Sequence, residues 1–172
     1  IFDTVVMSAL VVLGSTHTVA ETAADKLLGR VIDKKVPAMV YESKNQPWPG
    51  GTYAIRIFRN GQPSYMSDTG DLSVSLALRA EMEGNVAVLS SPLICRANFN
   101  STARVAVTPD FGAAKMRTKS VITLPIPKVM ADCGSIQFPV EAFLEQLVLQ
   151  NKLQWELDID KAFNQELEKL GL

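Results

Sequence analysis

The most constraining feature of this sequence is an alternation of side-chain character between residues 93 and 108. One parity carries apolar or small residues, among them Cys95 and Phe99, and the other carries mostly polar ones, among them Arg96 and Arg104. Successive side chains of a β-strand point to opposite faces, so this period of two predicts one strand of about sixteen residues, against a usual five or six. Such a strand is on the order of 50 Å long.

A second alternating stretch follows a turn predicted at residues 109–112. It predicts a strand that returns as far as Ile126, so that residues 93–126 form one long hairpin. Because twist accumulates along paired strands, a hairpin of this length is expected to coil around whatever packs on it. Its inner parity mixes large residues with small ones such as Ala103 and Ser120. Either a closely packed helix or a ligand fills the volume that the small residues leave.

Two amphipathic helices are predicted, one near each end of the chain. Residues 18–36 place apolar side chains at helical spacing, Thr18 and Glu21 form a capping box, and Pro37 ends the segment. From Pro139 a second helical pattern runs to the C-terminus, as one helix or as two joined by a slight kink. An unbroken helix would be about 45 Å long. It could therefore lie along the hairpin, and the two would bury each other's apolar faces.

Shorter elements are predicted between the first helix and the long hairpin. Local turn residues set their boundaries, since Asn-Gly favours a tight hairpin and clustered Pro and Gly favour a loop. The Trp48 side chain in the predicted loop either contacts a membrane or partner, or folds back as a plug. The elements are a strand at 38–43, a loop at 45–51, a hairpin turning at Asn60-Gly61, and a strand at 71–82 that ends in a turn at 83–85.

The apolar run Val5–Leu13 is predicted to form a buried strand. It is far shorter than the roughly 20 residues that a membrane-spanning helix needs. A remnant of a secretory signal is one alternative, because Thr18-Val19-Ala20 has the small residues of a cleavage site, although no basic region precedes the run. A segment that faces an interface or a partner is the other alternative.

The two cysteines, Cys95 and Cys133, are too far apart in sequence for a zinc or redox motif. They are either two free thiols in the core or one disulfide, and the sequence leaves both alternatives open. A disulfide would close a loop of roughly 40 residues and stabilise the fold by about 3–4 kcal/mol. It would also place the protein in an oxidising compartment.

No motif in the sequence indicates catalysis, a metal site or a cofactor. The single histidine, His17, stands at a helix start, and the sequence contains no GxSxG elbow, HExxH motif, Walker loop or dinucleotide fingerprint. Four acids, Asp68, Asp71, Glu81 and Glu83, are read as solvated acids near strand ends rather than as a catalytic pair. The net charge of −1, without a dense basic cluster, argues against nucleic-acid binding. We therefore expect a non-enzymatic protein without a cofactor.

The order of the predicted elements resembles that of a module of the tubular lipid-binding (TULIP, BPI-like) superfamily, which includes uncharacterised bacterial envelope proteins. The resemblance is carried by the helix stop at Val36-Pro37, the turn at residues 107–111, and residues 136–140, which lead into the C-terminal helix. It implies a single α+β module over residues 1–172. In that module a long, strongly curved antiparallel sheet wraps around a long C-terminal helix, with a second amphipathic helix near the N-terminus.

The function that the resemblance implies is binding or transport of a lipid or other apolar ligand in the periplasm or envelope of a bacterium. Members of the superfamily hold acyl chains between sheet and helix and have no catalytic residues. Several relatives carry two modules, whereas this chain has the length of one. It then forms a homodimer, is a fragment, or has a vestigial groove. The alternative function is that of a structural subunit of an envelope, secretion or phage assembly, whose apolar faces pack on partner chains.

The candidate ligand-binding residues are inward-facing side chains of the hairpin and apolar side chains of the C-terminal helix. They are Phe99, Ala103, Val105, Val107, Ile122, Leu124, Phe143, Leu144, Leu147 and Trp155. The expected partners are a lipid or apolar small molecule, together with a membrane surface or a protein. A basic stripe on the polar face of the hairpin would meet anionic headgroups, or is simply a solvated face. It comprises Arg96, Arg104, Lys115, Arg117 and Lys119.

Overall fold

The computed structural model describes residues 23–68, 71–88, 91–110, 117–169 and 171. It is an α+β fold, as the sequence predicts, and its described part contains an open antiparallel sheet of eight strands. A 13-residue helix precedes the sheet and a 29-residue helix follows it. The predicted strand Val5–Leu13, His17 and the predicted start of the first helix lie outside the described residues.

The sheet has the strand order β1-β2-β4-β5-β7-β8, with β3 also pairing on β4 and β6 also pairing on β5. The pairings between the described strands are all antiparallel. In chain order the elements are α1 (Ala23–Lys35), β1 (Met39–Trp48), β2 (Gly51–Arg59), β3 (Ser64–Asp68), β4 (Asp71–Val88), β5 (Ser91–Asp110), β6 (Arg117–Thr123), β7 (Met130–Asp132), β8 (Gln137–Pro139) and α2 (Glu141–Lys169).

The centre of the sheet is a long hairpin of β4 and β5, which pair from Leu72 with Val107 to Val88 with Ser91. The prediction of one exceptionally long strand is confirmed, since β5 has 20 residues. The predicted return strand is confirmed in part, since it pairs antiparallel with β5 but is much shorter than expected. The strand that returns along β5 is β6, which has only 7 residues and ends at Thr123 rather than Ile126. The strand that matches β5 in length is β4, with 18 residues.

The turn predicted at residues 83–85 is also wrong, because β4 continues through them. Gly84 does not reverse the chain; it makes room for neighbouring side chains on the inner face. A Cβ atom at Gly84 would lie 2.8 Å from Cζ2 of Trp48 and 2.9 Å from Cβ of Tyr53. This glycine is therefore a packing residue inside a strand, where a side chain would collide with the core.

The hairpin predicted at Asn60-Gly61 does not form. Both β2 and β3 pair with the same edge of β4, where Arg59 lies opposite Leu78 and Ser64 lies opposite Ser75. Between these pairs the chain has four residues, 60–63, against two in β4, 76–77, so the strand is interrupted rather than reversed. The Asn60 N–H donates to the carbonyl of Ala77 at 2.8 Å. At the interruption Gly61 adopts a positive φ of +98°, which glycine tolerates.

The loop predicted at residues 45–51 is mostly strand. β1 extends to Trp48, and a two-residue turn at Pro49-Gly50 leads directly into β2. Asn45 has a positive φ of 57° and lies where the pairing of β1 with β2 shifts register, which marks a bulge. The Pro- and Gly-rich composition therefore reflects one bulge and one tight turn within a hairpin.

Trp48 is buried and acts as the plug that was one of its two predicted roles. Its indole N–H donates to the carbonyl of Asn85 at 2.9 Å, so the polar atom is satisfied in the core. Its ring lies against those of Tyr53, Phe138 and Phe143, with centroids 5.4–6.3 Å away. Burial in this cluster raises the pKa of the Tyr53 phenol, and repulsion from Tyr41 raises it further.

The hydrophobic core forms two clusters that α2 connects. The first contains Trp48 and its neighbours on the inner face, together with Leu144 and Leu147 from the N-terminal half of α2. The second contains the buried face of α1 together with Ala162 and Phe163 from the C-terminal half of α2. Because α2 is unbroken from Glu141 to Lys169, it spans about 43 Å and reaches both clusters. Of the two predicted alternatives for this region, one continuous helix is confirmed.

A disulfide between Cys95 and Cys133 joins β5 to the segment just after β7. The choice between free thiols and a disulfide is thereby resolved in favour of the bond. Both residues are buried in the first core cluster. The bond fixes the short strands β7 and β8, which lead into α2, against the long central hairpin.

Side chains of α2 cover the outer edge of β6. Glu156 Oε1 accepts a hydrogen bond from the Ile122 N–H at 2.8 Å, and Asn164 Oδ1 accepts one from the Thr118 N–H at 3.1 Å. The spacings match, because eight residues of helix rise about 12 Å and four residues of strand about 13 Å. A strand edge that would otherwise present free N–H groups is thus paired with helix side chains.

Reduction of the disulfide is expected to lower the free energy of unfolding by about 4 kcal/mol, because Cys95 and Cys133 are 38 residues apart and the bond restricts the unfolded chain. Urea unfolding followed by circular dichroism, with and without dithiothreitol, measures the difference. The double variant Cys95→Ser/Cys133→Ser is the control and should unfold at the same urea concentration in both conditions. An unchanged wild-type midpoint after complete reduction would contradict this expectation.

The substitution Asn164→Ala is expected to destabilise the protein by about 1–2 kcal/mol, because the half-buried Thr118 N–H loses its acceptor. Hydrogen exchange should show faster exchange of the Thr118 amide specifically. The neighbouring exposed residue provides a matched control, since Gln165→Ala should change stability by less than about 0.5 kcal/mol. Equal effects of the two substitutions would show that the edge contact contributes nothing.

Candidate ligand-binding groove

An apolar groove of about 240 Å³ lies where α1, β1 and α2 meet the inner face of the sheet. Its floor is formed by inward-facing side chains of the long hairpin and of β6. Its walls come from the end of α1, from β1 and from the middle turns of α2. The lining residues are Ile32, Lys35, Val36, Pro37, Val40, Tyr41, Ile57, Val74, Leu76, Leu78, Ala103, Val105, Ile122, Leu124, Trp155, Asp158 and Ile159.

The groove exists because α2 is packed tightly only near its two ends. Its buried side chains are Leu144 and Leu147 on one side of the middle and Ala162, Phe163 and Leu167 on the other. The turns between them present Trp155 and Ile159 to the sheet, and both are only half-buried. On the floor, the small Ala103 lies opposite Leu76 in the hairpin register. A short side chain below a loosely packed stretch of helix leaves the space open.

Aromatic and charged side chains occur on the walls of the groove. The rings of Tyr41 and Trp155 meet edge to face, with centroids 5.5 Å apart. This contact links β1 to α2. Lys35 and Asp158 are the charged residues of the lining, and both are exposed to solvent. The groove therefore combines an apolar interior with one cation and one anion in contact with water, an arrangement suited to an amphiphile.

A second cavity lies below the N-terminal half of α2, but it is too small for a ligand. Its volume is about 20 Å³, which is close to the space that a single water molecule needs. Its walls are largely apolar and include Phe99, Leu144 and Leu147. It is a packing defect in the first core cluster. The N-terminal half of α2 therefore fills most of the space over this part of the sheet.

The ten predicted site residues lie in different parts of the structure: some line the groove, some line the small cavity, and two line neither. Phe99, Leu144 and Leu147 line the small cavity, and Leu124 lies on both. Val107 is fully buried in the second cluster, and Phe143 packs against Phe138 with centroids 6.0 Å apart. Their role in ligand binding stays a prediction. The groove is lined by Ala103, Val105, Ile122, Leu124 and Trp155.

Sequence reasoning missed the part of the groove that α1 and β1 provide. Ile32, Val36, Val40 and Tyr41 line it, although none was a candidate. The sequence did indicate that Ile32 faces inward, because it lies on the apolar face of the predicted first helix. The position of β1 beside the helices depends on strand pairings between residues distant in sequence. The local sequence around Tyr41 therefore did not predict that it lines the groove.

The outer face of the sheet carries paired charged side chains on β2, β4 and β5. Glu81 contacts Arg56 and Arg79, each at 3.2 Å, and Glu83 contacts Arg96 at 2.8 Å. These two acids lie within β4 and not near strand ends, which corrects the prediction. Arg56–Glu81 and Arg96–Glu83 join neighbouring strands, whereas Arg79–Glu81 lies within β4. All three pairs are accessible to solvent, so each contributes at most about 1 kcal/mol.

The other members of the basic stripe differ in their surroundings. Arg104 donates to the Ser73 hydroxyl at 3.3 Å, while Arg117 and Lys119 are exposed on β6. Lys115 lies outside the described residues, and so do the side chains of Asp68 and Asp71. Since Arg96 already pairs with Glu83, the stripe is partly neutralised within the sheet.

Among the residues that the structure describes, no three or more His, Cys, Asp or Glu side chains come together as a metal site would require. None of the helices seen there combines the length and apolar character needed to cross a membrane. In comparisons with known proteins, no family model matches the chain, and a search of curated proteins finds no match. The resemblance to the TULIP superfamily therefore stays a prediction.

Enlarging Ala103 is expected to cost little stability, because Ala103→Leu extends a side chain into the empty groove. Ala97 is the matched control: it also points inward from β5, and the exposed fractions are 8% for Ala103 and 4% for Ala97. Ala97 lines neither cavity, so Ala97→Leu should destabilise the protein by about 1–3 kcal/mol through overpacking. Urea unfolding of the two variants measures the difference, and equal destabilisation would mean that the groove offers no usable space.

Proposed function

We propose that this protein binds a lipid or another apolar molecule, without catalysis, in the groove between the sheet and its two helices. The observation that carries the proposal is the groove itself, which is apolar over most of its lining and is enclosed by three separate elements. Concave apolar sites with a few polar groups at defined positions are the usual form of small-molecule sites. Lys35 and Asp158 supply such groups.

The size of the groove favours a ligand with a single hydrocarbon chain. Its volume of about 240 Å³ is below the usual range of roughly 300–1,000 Å³ for ligand sites. A diacyl lipid would therefore leave most of its apolar surface in water. A single chain could lie along Ala103, Val105 and Ile122, with its polar end in solvent beside Lys35 or Asp158.

A rolled, TULIP-like sheet belongs to the same proposal. Strands as long as β4 and β5 accumulate twist, and this supports a sheet that curves around α2. The packing of α2 against both core clusters on the inner face is consistent with that arrangement. In such a fold the groove corresponds to the part of the interior that α2 does not fill.

A periplasmic or envelope location is the compartment that we propose. The supporting observation is the disulfide between Cys95 and Cys133, because disulfides persist in oxidising compartments and are rare where thiols are kept reduced. A protein that carries an apolar ligand between membranes would work in such a compartment.

Assembly into a larger structure is the second candidate function. It is favoured by large apolar side chains that the fold leaves exposed, above all Leu149, Leu153 and Leu157 on α2. These side chains contribute nothing to the groove and are available to another chain. The two candidates are compatible, since a binding protein can also assemble.

Calorimetric titration of delipidated protein with a homologous series of straight-chain fatty acids tests the binding proposal. Affinity should rise about fourfold for each added methylene, as expected for burial worth about 0.8 kcal/mol, and then level off once the groove is filled. Ala103→Leu should shorten the chain length at which the plateau begins and lower the affinity for long chains. Thr102→Leu, an exposed outer-face change on the same strand, is the control and should bind as the wild type does. Absence of binding at every chain length would refute the proposal.

A further inference from the structure

Building on the ligand-binding function proposed above, we propose that the ligand of the groove is a single-chain amphiphile with an anionic head group, held by Lys35 at the end of α1. Lys35 and Asp158 are the cation and the anion of the groove lining. They lie on different walls, Lys35 in the last turn of α1 and Asp158 on α2. A head group beside Lys35 is an anion, whereas a head group beside Asp158 is a cation.

The Asp158 carboxylate already has a partner on its own helix. Its Oδ1 accepts a hydrogen bond from the Gln154 side-chain amide at 3.0 Å. Lys161 follows three residues later in α2, and residues three apart are neighbours on one side of a helix. A cationic head group would compete with the Gln154 amide for the carboxylate and would be repelled by Lys161. Asp158 is therefore the less available of the two charges.

Lys35 and Trp155 supply hydrogen-bond donors to the lining of the groove. Among the residues that the structure describes, the Lys35 ammonium has no ion pair and the Trp155 indole N–H has no hydrogen bond. Both groups donate hydrogen bonds without accepting any. A head group that complements them consists of acceptors, as a carboxylate or a phosphate does.

Positive charge is concentrated around Lys35, where the ends of α1 and α2 meet. The hydrogen bond from Lys169, at 2.7 Å, lowers the pKa of the Glu166 carboxyl below its ordinary value, and the charges of Lys169, Lys34 and Lys35 lower it further. Glu168 is two residues from Glu166, and residues at that spacing do not share a helix face. Three ammonium groups near one carboxylate outweigh the roughly half negative charge that each helix adds at its C-terminus. An anion beside Lys35 therefore enters a favourable potential.

The exposure of Lys35 sets the strength of this preference. An exposed ammonium leaves the head group largely hydrated, so an ion pair there contributes a few-fold in affinity and not several orders of magnitude. Most of the affinity comes from the hydrocarbon chain on the apolar floor. The head group then selects among amphiphiles that have the same chain.

Calorimetric titration of the delipidated full chain with decanoate, decyltrimethylammonium and 1-decanol tests the sign of the head group. Decanoate is expected to bind more tightly than decyltrimethylammonium, and the difference should shrink at high sodium chloride because salt screens exposed charges. Decyl phosphate distinguishes a phosphate head group from a carboxylate, and a preference for either anion supports the proposal. Tighter binding of decyltrimethylammonium than of either anion would overturn it by placing the head group at Asp158.

Substitution of Lys35 tests whether this residue holds the head group. Lys35→Met keeps a long apolar side chain without the charge, so it should weaken decanoate binding about two- to fivefold and leave 1-decanol binding unchanged. Lys35→Arg should retain the wild-type affinity for decanoate. Lys26→Met is the control, because Lys26 is exposed on the same helix and does not line the groove, and it should bind decanoate as the wild type does.

The neutral probe separates failure of this proposal from failure of ligand binding itself. If 1-decanol binds and Lys35→Met leaves the decanoate affinity unchanged, the anionic head group is refuted while the apolar groove stands. Equal weakening of both probes in Lys35→Met would also overturn the proposal, because a lost charge contact cannot affect an alcohol. Absence of binding by all the probes would refute the ligand-binding function, and the anionic head group with it.

Discussion

The pairing of β4 with β5 is the constraint on which the rest of the structure depends. β2 and β3 pair directly with β4, β6 and β7 pair directly with β5, and β1 and β8 each add to one of these neighbours. Paired residues point to the same face, so the register of this one hairpin decides which side chains of the whole sheet turn inward. A slip of one residue would turn the apolar side chains of β5 towards water and its Arg and Asn side chains towards α2.

The groove follows from the way in which two helices of unequal length cover that inner face. α2 reaches both core clusters, and its side chains also satisfy the edge of β6 through Glu156 and Asn164. The shorter α1 packs in the second cluster, and its last turn lines the groove together with the middle turns of α2. The space between them is closed by β1 through the contact of Tyr41 with Trp155. The groove is thus the space on the inner face that the two helices do not fill, and contacts of α1, α2 and β1 fix its position.

The sequence predicted those features that a local pattern determines. The parity of β5 and the continuous helical phase of α2 are properties of contiguous residues, and both agree with the structure. The errors at residues 45–51, 60–61 and 83–85 have a common cause, since strand pairing outweighed the local turn residues. The pairing is that of β1 with β2 at 45–51 and that along β4 at the other two places. The packing role of Gly84 depends on Trp48, which is distant in sequence. For the same reason half of the predicted site residues lie outside the groove, and the walls from α1 and β1 were not foreseen.

The disulfide between Cys95 and Cys133 makes the two ends of α2 mechanically unequal. The segment from Cys133 through β8 delivers the chain directly to the start of α2 at Glu141, so a covalent tether holds the N-terminal end of the helix close to β5. The C-terminal end is held by side-chain packing and by hydrogen bonds such as that from Thr118 to Asn164. The covalent tether therefore limits how far the N-terminal end of α2 can separate from β5, whereas the C-terminal end is held by noncovalent contacts alone.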